Sequence, residues 1–361
     1  MNKKLQYFRE AFTIRSFVKN IDAVMEQDTY YPDKCRKSKA QRLCDNVIWL
    51  LKNHEANRFY NSWGLDVKGF RKVEDFLPYR QFAIQRNNAN MTLVDDWNQL
   101  CVLRDKVIFS AFTAQVADGK YCVPVVAIIK NGKAIVLNGN TKTLLDFLND
   151  YIGKTLFVKK YNGECGDGVF SVHVESTDTV IVNHVRMNTT DFKEKLTEAE
   201  YIVQEKIVQH EMLDKINPSC INTVRIVTIL DKNQEPQVFA KVLRIGVNGA
   251  VNDNASTGGF YVNIDDEGKL DAKGFSHKGF IYKHPDSGAE FAGQVIPMWT
   301  EVVKAVKYMH QFLPQIKSIG WDVAITPTEP VLVEGNDNWE VSLHQDVEGG
   351  LKNRWNQMMG L

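Results

Sequence analysis

The sequence predicts an α+β protein in which helices precede a long series of antiparallel strands. Apolar residues recur at helical spacing through residues 1–60. From Val123 onward the pattern changes to short β-branched runs that are separated by Gly, Asn, Asp and Thr. One amphipathic stretch, residues 296–312, stands before a final hairpin. Strand runs and helical segments that stay separate along the chain are typical of the α+β class, with helices packed on one face of the sheets.

The first 90 residues are predicted to be a helical region. A break at residues 30–33, Tyr-Tyr-Pro-Asp, separates two periodic segments, and residues 61–90 lack periodicity, which predicts an irregular connection with short helices. A further helix is predicted from about Thr92 to Ala117, because two aspartates stand near its start. The apolar positions that define the first two helices are Leu5, Phe8, Phe12 and Ile14, then Ala40, Leu43, Val47, Leu50 and Leu51.

β-Branched runs predict the strands that follow. VPVVAIIK and AIVL flank Asn131-Gly132, a dipeptide that favours the tight turn of a hairpin. Short helices are predicted at residues 142–151 and 191–200, and the helix at residues 296–312 ends before Pro314. The other strands are predicted in LFVKKY, GVFSVHV, TVIVNHV, YIVQEKIV, NTVRIVTIL, VFAKVLRIGV and GGFYVNID.

The composition of the 361 residues excludes several classes of protein. Forty-four basic residues balance 44 acidic ones, so no overall field favours nucleic acid or an anionic membrane. The 6 cysteines are widely spaced, as is typical of reduced thiols. The N-terminus is too charged for a signal peptide, and no apolar run is long enough to cross a bilayer. We expect a cytoplasmic protein that neither binds nucleic acid nor inserts into a membrane; its oligomeric state stays open.

The most informative segment is GWDVAITPTEPVLVEGNDNWEVSL, residues 320–343. Asp322 begins one apolar run, and Glu334 and Asn336 end the next one, after a turn rich in Pro and Thr. Residues two apart on a strand share a face, and a hairpin of this length brings Asp322 to the same place. Two carboxylates and an amide oxygen, without Cys or His, form a site that suits Mg²⁺. Magnesium on a sheet usually accompanies a nucleotide polyphosphate.

Other segments carry groups that are suited to a nucleotide. The loop NGECGDG, residues 162–168, follows Lys159, and its glycines permit backbone N–H groups to approach an anion closely. A plain hairpin loop explains this loop equally well, and Lys106 taken alone is typical of a solvated helix position. The segment that ends in Glu211 offers main-chain groups to a purine edge and a carboxylate to ribose. The alternative for that segment is a buried strand with a polar turn.

Three basic residues, Arg225, Lys241 and Arg244, lie within otherwise apolar strands. Burial of an unpaired charge is expensive, so each of them needs an anionic partner. A structural carboxylate and a ligand phosphate are equally good partners for any single one. Their occurrence in successive strands favours an anionic ligand.

In this order the segments resemble the ATP-grasp superfamily: a DK pair, a Lys before a Gly-rich hairpin loop, the sequence QEKI, basic strands, and finally D…E-x-N. The nearest branch that the chain resembles is the sugar-transfer-associated ATP-grasp proteins, which are found with polysaccharide biosynthesis functions. The supporting motifs extend from about residue 90 to the C-terminus and are SCINTVRIVT, VNDNASTGG, HPDSG, IPMW, IGWDVAI and VLVEGN.

The resemblance implies an ATP-grasp fold, in which two lobes with antiparallel sheets enclose ATP after a helical N-terminal region. The implied division is residues 1–90, a first lobe at 91–205 that includes the Gly-rich loop, and a second lobe at 206–361 that includes the Mg²⁺ site. ATP and two Mg²⁺ ions are the implied cofactors. The implied site residues are Lys106, Lys159, Gly163, Gly166 and Gly168 at the phosphates; Glu205, Lys206 and Ile207 at adenine; Glu211 at ribose; Asp322, Glu334 and Asn336 at Mg²⁺; and Arg225, Lys241 and Arg244 at the phosphate and acylphosphate groups.

The activity that the resemblance implies is ligation of a carboxylate to an amine through an acylphosphate, in cell-surface polysaccharide or sugar-conjugate biosynthesis. An amino acid and a sugar acid suit it as small-molecule substrates. One alternative is a phosphotransferase on the same fold, which yields a phosphorylated acceptor. The other is a non-catalytic nucleotide-binding scaffold, which binds ATP without turnover.

Overall fold

The computed structural model describes residues 14–91, 97–137, 139–161, 168–254 and 258–361. In these segments the chain forms two antiparallel sheets, one of eight strands and one of seven, with helices before and beside them. The α+β class is therefore confirmed. None of the helices in the described segments has the length and hydrophobicity that a membrane span requires.

In the described part of the N-terminal region, three α-helices and a long irregular segment surround an aromatic core. Trp49, Tyr60, Trp63 and Phe76 form most of that core, and the ring of Trp63 stacks on that of Phe76. The second predicted helix is confirmed, whereas of the four apolar positions that define the first one only Ile14 lies within the described residues. The helices are α1 (Ile14–Glu26), α2 (Lys39–Asn53) and α3 (Tyr79–Ala89).

Helix α2 buries a face that its apolar spacing does not predict. Leu43 and Leu51 are 46% and 71% exposed, whereas Asn46 and Trp49 are buried. Trp49 packs edge-on against Trp63, so the largest side chain determines which face of the helix turns inward. Periodicity therefore predicts the helix correctly and its buried face incorrectly.

The expectation of a single helix from Thr92 to Ala117 is wrong for the described residues of this range. Two helices occur there, α4 (Trp97–Arg104) and α5 (Lys106–Val116). Asp105 separates them in an extended conformation. Its carboxylate accepts hydrogen bonds from two backbone N–H groups of the first turn of α5, each at 2.9 Å. An N-cap aspartate satisfies donors that would otherwise lack partners, which explains why a new helix begins here.

The eight-stranded sheet has the order β3-β2-β1-β8-β4-β5-β6-β7. Asn131 and Gly132 have φ angles of 51° and 69°, as the tight turn between the first two strands requires, so the predicted hairpin is confirmed. The elements are β1 (Val125–Lys130), β2 (Lys133–Val136), β3 (Thr141–Thr143), α6 (Leu144–Asn149), β4 (Thr155–Lys160), β5 (Val169–Val174), β6 (Thr179–Val182), β7 (Val185–Asn188), α7 (Thr189–Lys195) and β8 (Tyr201–Glu205).

The strand expected at residues 201–208 ends earlier, at Glu205. The backbone N–H of Lys206 still donates to the carbonyl of Thr155, at 3.2 Å. Four residues later the N–H of His210 donates to the carbonyl of Ile325 in the other sheet, at 2.7 Å. The chain leaves the first sheet here because its hydrogen bonds transfer to the second.

The seven-stranded sheet has the order β13-β12-β11-β10-β9-β14-β15. Every strand pair in it is antiparallel, and the strands β9, β14 and β15 form its last three positions. The elements are α8 (Glu211–Ile216), β9 (Val224–Leu230), β10 (Pro236–Ile245), β11 (Phe260–Ile264), β12 (Leu270–Ser276), β13 (Gly279–Ile281), α9 (Trp299–Gln311), β14 (Ser318–Ile325), β15 (Pro330–Asn336), α10 (Ser342–Val347) and α11 (Lys352–Met359).

Helices cover both faces of the seven-stranded sheet, so the expectation of one covered face is wrong for this sheet. Ile226 of β9 belongs to the large core that includes Val302 and Met309 of α9. Val227, the next residue along, belongs to a second core with Trp355 of α11. Successive strand residues point to opposite faces, which explains why β9 is apolar almost throughout.

Candidate active site

Two acidic side chains face each other across neighbouring strands of the seven-stranded sheet. Asp322 of β14 pairs in register with Glu334 of β15. Asn336 lies two residues further along β15, and its amide donates to the Glu334 carboxylate at 3.3 Å and to the Gly320 carbonyl at 3.4 Å. The three side chains that the sequence predicts as metal ligands therefore lie together on one sheet face.

The Asp322 carboxylate is held by two guanidinium groups, one from the adjacent strand β9 and one from β10, the strand beyond it. Arg225 of β9 is its cross-strand neighbour and binds it through two hydrogen bonds, from Nε at 2.5 Å and from a terminal nitrogen at 2.8 Å. Arg244 of β10 donates to it at 3.1 Å and also binds Asp253 at 2.8 Å. Arg244 also contacts the side-chain oxygen of Asn254. The structural carboxylate partners that the sequence left open are therefore present for both arginines.

Burial and charge move the pKa values of the two facing carboxyls in opposite directions. Burial alone would raise the pKa of Asp322, but Arg225 and then Arg244 hold it well below its usual range. Burial raises the pKa of Glu334, and the neighbouring Asp322 carboxylate raises it further, in spite of the positive charges of Arg225 and Lys159. Asp322 is therefore the member that loses its proton more easily, and Glu334 is the member that gains one more easily.

Lys159 of the eight-stranded sheet lies in the electrostatic neighbourhood of these carboxyls. Burial lowers the pKa of its ammonium group, Glu334 opposes that effect, and Lys106 lowers the pKa further. Since these charges influence Lys159, groups from both sheets and from α5 converge on one region. The side chain of Lys159 nevertheless retains partial solvent exposure.

The first turn of α5 fixes the position of Lys106. Asp105, the N-cap residue, accepts a hydrogen bond from the Tyr161 hydroxyl at 2.9 Å as well as from backbone N–H groups. Tyr161 follows β4, so this bond ties the helix to the strand that carries Lys159.

Only one of the three predicted loop glycines, Gly168, lies within the described residues; Gly163 and Gly166 lie outside them. Gly168 has a φ angle of 66°, and a Cβ there would lie 2.9 Å from the Lys160 side chain. Both its conformation and its close neighbour therefore favour glycine at this position.

The residues predicted to contact adenosine lie on the segment that joins the two sheets. Glu205 ends β8, is exposed and lies 3.8 Å from the Lys154 ammonium. Lys206 is exposed and Ile207 is half-buried in the irregular stretch that follows. Glu211 begins α8, where its carboxylate lies 3.7 Å from Lys215. No ion pair found in the described segments joins these residues to the Asp322 cluster.

Lys241 is not brought to the carboxylate pair. Lys241 pairs across the strands with Ile226, whereas Arg225 pairs with Val242. Neighbouring residues of a strand point to opposite faces, so Lys241 and Arg225 lie on opposite faces of the sheet. The Lys241 ammonium pairs instead with Asp266, in the turn between β11 and β12. The structural alternative, a carboxylate partner, is again present.

The donor set suits a hard cation. Within the described part of the chain there is no cluster of three or more His, Cys, Asp or Glu side chains, so a metal site there needs amide or carbonyl oxygens as well. The carboxylates of Asp322 and Glu334 and the amide oxygen of Asn336 form such an all-oxygen set. Asp322 already accepts three guanidinium hydrogen bonds, so Glu334 and Asn336 offer the lone pairs that are more readily available.

Sequence reasoning missed the residues that anchor the end of β15. Arg104 of α4 makes two hydrogen bonds to Asp337, at 3.0 and 2.7 Å. The Asn90 amide donates to the carbonyls of Ser318 and Asp337, at 2.9 and 3.0 Å. Asp337 directly follows Asn336, so these contacts hold the strand end that carries the acidic pair. The position of Asp337 beside the E-x-N motif is the signal in the sequence that could have identified it as a residue that holds the site.

Comparison with known proteins gives one family match. The model of the family described as sugar-transfer associated ATP-grasp matches residues 85–359. No protein with a curated description matches the chain.

Comparison with solved structures gives matches at low sequence identity and with TM-scores below 0.5. An ADP complex of N5-carboxyaminoimidazole ribonucleotide synthetase is 12% identical over 73% of this chain and 53% of that one, with a TM-score of 0.43. The D-alanine–D-alanine ligase from Bacillus anthracis is 13% identical over 72% and 65%, with a TM-score of 0.36. The L-amino acid ligase from Bacillus licheniformis is 13% identical over 66% and 41%, with a TM-score of 0.36. The chain spans about half the length of the first of these proteins.

Proposed function

Because the chain belongs to the sugar-transfer associated ATP-grasp family, we propose that it is an ATP- and Mg²⁺-dependent ligase that joins a carboxylate to an amine. The observation that carries the proposal is the meeting of opposite charges from the two sheets. The Asp322–Glu334 pair of one sheet and Lys159 of the other influence each other's ionisation. Such an arrangement suits a ligand that carries both phosphates and bound cations.

The residues of this chain take three tasks in the proposal. Lys106 and Lys159, with backbone N–H groups of the loop that ends at Gly168, bind the phosphates of ATP. Main-chain groups at Glu205, Lys206 and Ile207 contact adenine, and Glu211 contacts the ribose hydroxyls. Asp322, Glu334 and Asn336 would hold Mg²⁺, which would supply neutralisation of charge on the phosphates of ATP.

The reaction proceeds in two steps. An oxygen of the substrate carboxylate attacks the γ-phosphorus, the bond from that phosphorus to the bridging oxygen of ADP breaks, and an acylphosphate forms. The amine nitrogen then attacks the acyl carbon, phosphate leaves with its bonding electrons, and the ammonium proton passes to water. Arg225 and Arg244 stabilise the negative charge through both steps. Positioning and charge neutralisation supply most of the rate enhancement, so no nucleophile is needed.

We assign Lys241 no part in the reaction. Its cross-strand partner is Ile226, whereas that of Arg225 is Val242, so its side chain lies on the face of the sheet opposite to the Asp322–Glu334 pair. Its ammonium pairs there with Asp266.

The description of the family supports a substrate class. We propose that one substrate is a sugar acid and the other an amino acid, in cell-surface polysaccharide or sugar-conjugate biosynthesis. The amide nitrogen comes from the amino acid, and the activated carboxylate belongs to the sugar acid.

The test is ADP release in the presence of ATP, Mg²⁺ and pairs of amino acids and uronic acids, with mass analysis of the products. We expect an amide and free phosphate in equal amounts. Glu334→Gln should abolish ADP release, whereas Glu329→Gln, in the turn of the same hairpin, should leave it unchanged. A phosphorylated acceptor would identify a phosphotransferase, and nucleotide binding without turnover a scaffold. Unchanged release in Glu334→Gln would overturn the metal site.

A further inference from the structure

Helix α2 turns a row of aliphatic side chains toward solvent. Its inner face packs on the aromatic core of the N-terminal region through Trp49. Residues four apart on a helix lie on the same face, so the outer face carries one continuous apolar row. The members of this row are 40–71% exposed and are Leu43, Val47, Ile48 and Leu51. A contiguous exposed apolar patch on a folded protein marks a docking surface.

A groove lies beside the apolar row, between α2 and residues 71–78. Ile48 and Val73 both line it and are 56% and 41% exposed. The apolar surface therefore continues from the helix to the rim of the groove. None of the residues assigned above to ATP or Mg²⁺ lines the groove.

The lining of the groove carries more basic than acidic groups. Lys37 and Asp45 pair with each other at 2.8 Å and cancel. The other charged residues of the lining are four cations and one acid: Lys52, Arg71, Lys72, Lys352 and Glu74. Over the whole chain 44 basic residues balance 44 acidic ones, so this excess is local. A local excess of positive charge favours an anionic partner.

The helix is formed before any partner arrives. The Ser38 hydroxyl accepts a hydrogen bond from the backbone N–H of Gln41 at 3.2 Å, and the Gln41 side chain accepts one from the Ser38 N–H at 3.0 Å. This capping box fixes the start of the helix, and the buried Trp49 fixes its orientation. Docking therefore avoids the cost of ordering that a disordered amphipathic segment meets on binding.

The composition of this surface distinguishes between kinds of partner. The cores of protein interfaces are enriched in aromatic side chains and depleted in Lys. Here the exposed apolar side chains are aliphatic, and lysines border them. Such a surface suits lipid, because the apolar groups enter among the acyl chains while the ammonium groups stay among the phosphates. A second copy of the chain would instead bring like charges together, since a symmetric contact pairs the surface with itself.

We propose that α2 and the groove beside it dock on the surface of an anionic lipid bilayer. The apolar row lies at the boundary of headgroups and acyl chains, and Lys52, Lys72 and Lys352 bind lipid phosphates. The helix has 15 residues, fewer than the roughly 20 that a membrane span requires, so it lies in the plane of the surface. The proposal is independent of the ligase function, because the ligase reaction uses none of these residues.

The test is flotation of the full chain, without ATP or Mg²⁺, on two kinds of vesicle. One kind is phosphatidylcholine alone, and the other contains equal parts of phosphatidylcholine and phosphatidylglycerol. We expect at least tenfold stronger binding to the anionic vesicles, and a decrease of this binding as the salt concentration rises. Absence of binding to the anionic vesicles overturns the proposal. Equal binding to both kinds overturns the assignment of the lysines to lipid phosphates.

Variants of the apolar row locate the contact. Val47→Ser/Leu51→Ser should weaken binding to anionic vesicles at least tenfold, because it removes apolar groups that enter the bilayer. Ile135→Ser/Leu137→Ser is the matched control in the eight-stranded sheet and the turn after β2. Its side chains are 41% and 71% exposed, against 40% and 71% for Val47 and Leu51. This control should leave binding unchanged. Full binding by Val47→Ser/Leu51→Ser would overturn the assignment to α2.

Variants of the lysines examine the charge. Lys52→Gln/Lys72→Gln should weaken binding to anionic vesicles at least fivefold. Lys133→Gln/Lys193→Gln, which removes two exposed charges at the eight-stranded sheet, should leave it unchanged. Equal loss in the two double variants would mean that only total charge matters and would overturn the role of the groove.

Sedimentation of the chain without vesicles examines a second copy as the occupant. We expect the mass of a single chain in the wild type at all protein concentrations. A mass that doubles at high concentration, and does not double in Val47→Ser/Leu51→Ser, would assign the apolar row to a second copy and overturn the lipid assignment.

Discussion

The two sheets contribute charge to the candidate active site in opposite ways. In the seven-stranded sheet, Asp322 is bound by Arg225 and Arg244 before any ligand arrives. In the eight-stranded sheet, Lys159 forms no ion pair within the described residues, and burial lowers its pKa. One sheet thus presents an assembled group of balanced charges, and the other presents a cation whose charged form is disfavoured.

This difference predicts that the charged groups of one sheet serve mainly folding stability and that Lys159 of the other serves mainly ligand binding. A buried ion pair with good geometry resists the removal of either member, because the remaining charge loses its partner. A partly buried cation whose charged form is disfavoured by burial destabilises the folded state until an anion binds to it. The acidic cluster should therefore contribute to folding, whereas Lys159 should contribute to ligand binding at the expense of folding. Substitutions in the two sheets test this distinction.

The largest effect on stability is expected for Asp322→Asn. Arg225 and Arg244 would lose their shared carboxylate while they remain largely buried, with side chains only 12% and 13% exposed. Loss of one member of a buried pair costs about 3–5 kcal/mol. Denaturant unfolding, followed by tryptophan fluorescence, measures this loss, and ADP release should disappear as well.

The control for this prediction is Asp150→Asn, which removes the carboxylate partner of Lys142. The side chains of Lys142 and Asp150 are 37% and 50% exposed, so the loss of this pair should leave the free energy of unfolding almost unchanged. If the two aspartate variants were equally stable, the seven-stranded sheet would not depend on its charge cluster, and the contrast between the sheets would be lost.

Asp346 is a second buried carboxyl that can be compared with Asp322. In the described segments its hydrogen bonds come from the hydroxyls of Tyr261 and Ser62 and not from a guanidinium. Burial raises its pKa to about 6, although hydrogen bonds from Tyr261 and Ser62 oppose the rise. Its usual pKa is about 3.9, so the folded state binds more protons than the unfolded state between these values. Stability from this residue is therefore greatest at low pH and falls as the pH rises through about 6.

The measurement compares the free energy of unfolding of the wild type with that of Asp346→Asn between about pH 4.5 and about pH 7. The wild type should lose about 2 kcal/mol relative to the variant over this range. Other titrating groups are common to both proteins, so they cancel in the difference. A constant difference would show that Asp346 stays ionised over this range and would contradict the raised pKa.

The sequence predicts those parts of the site that follow from strand geometry. Glu334 and Asn336 lie two residues apart, and alternation of side chains places both on one face. Alternation of side chains does not predict which carboxylate each basic side chain pairs with. Lys241 and Arg244 give the same signal of a basic residue in an apolar strand, yet one pairs with an exposed turn and the other with Asp322.

The parts of the fold that sequence reasoning missed depend on competition between local and distant contacts. Asp105 stands in a run with helical spacing, and its side chain ends one helix and begins another by capping. Helix α2 turns inward around Trp49 because the aromatic core lies there, and its exposed leucines give no sign of this. The ion pair between Arg104 and Asp337 joins distant parts of the chain, so spacing alone does not reveal it.

The smallest effect on stability, with a large effect on function, is expected for Lys159→Met. Methionine keeps much of the length of the side chain and removes a charge that burial disfavours, so the free energy of unfolding should change by less than about 1 kcal/mol. ATP binding, measured by calorimetry, should weaken at least tenfold, because a phosphate partner is lost. Lys154→Met is the matched control, since Lys154 is exposed and directly precedes the same strand. It should change neither quantity. A loss of stability in Lys159→Met as large as that in Asp322→Asn would mean that both sheets hold assembled charges, and that the difference between them is only one of exposure.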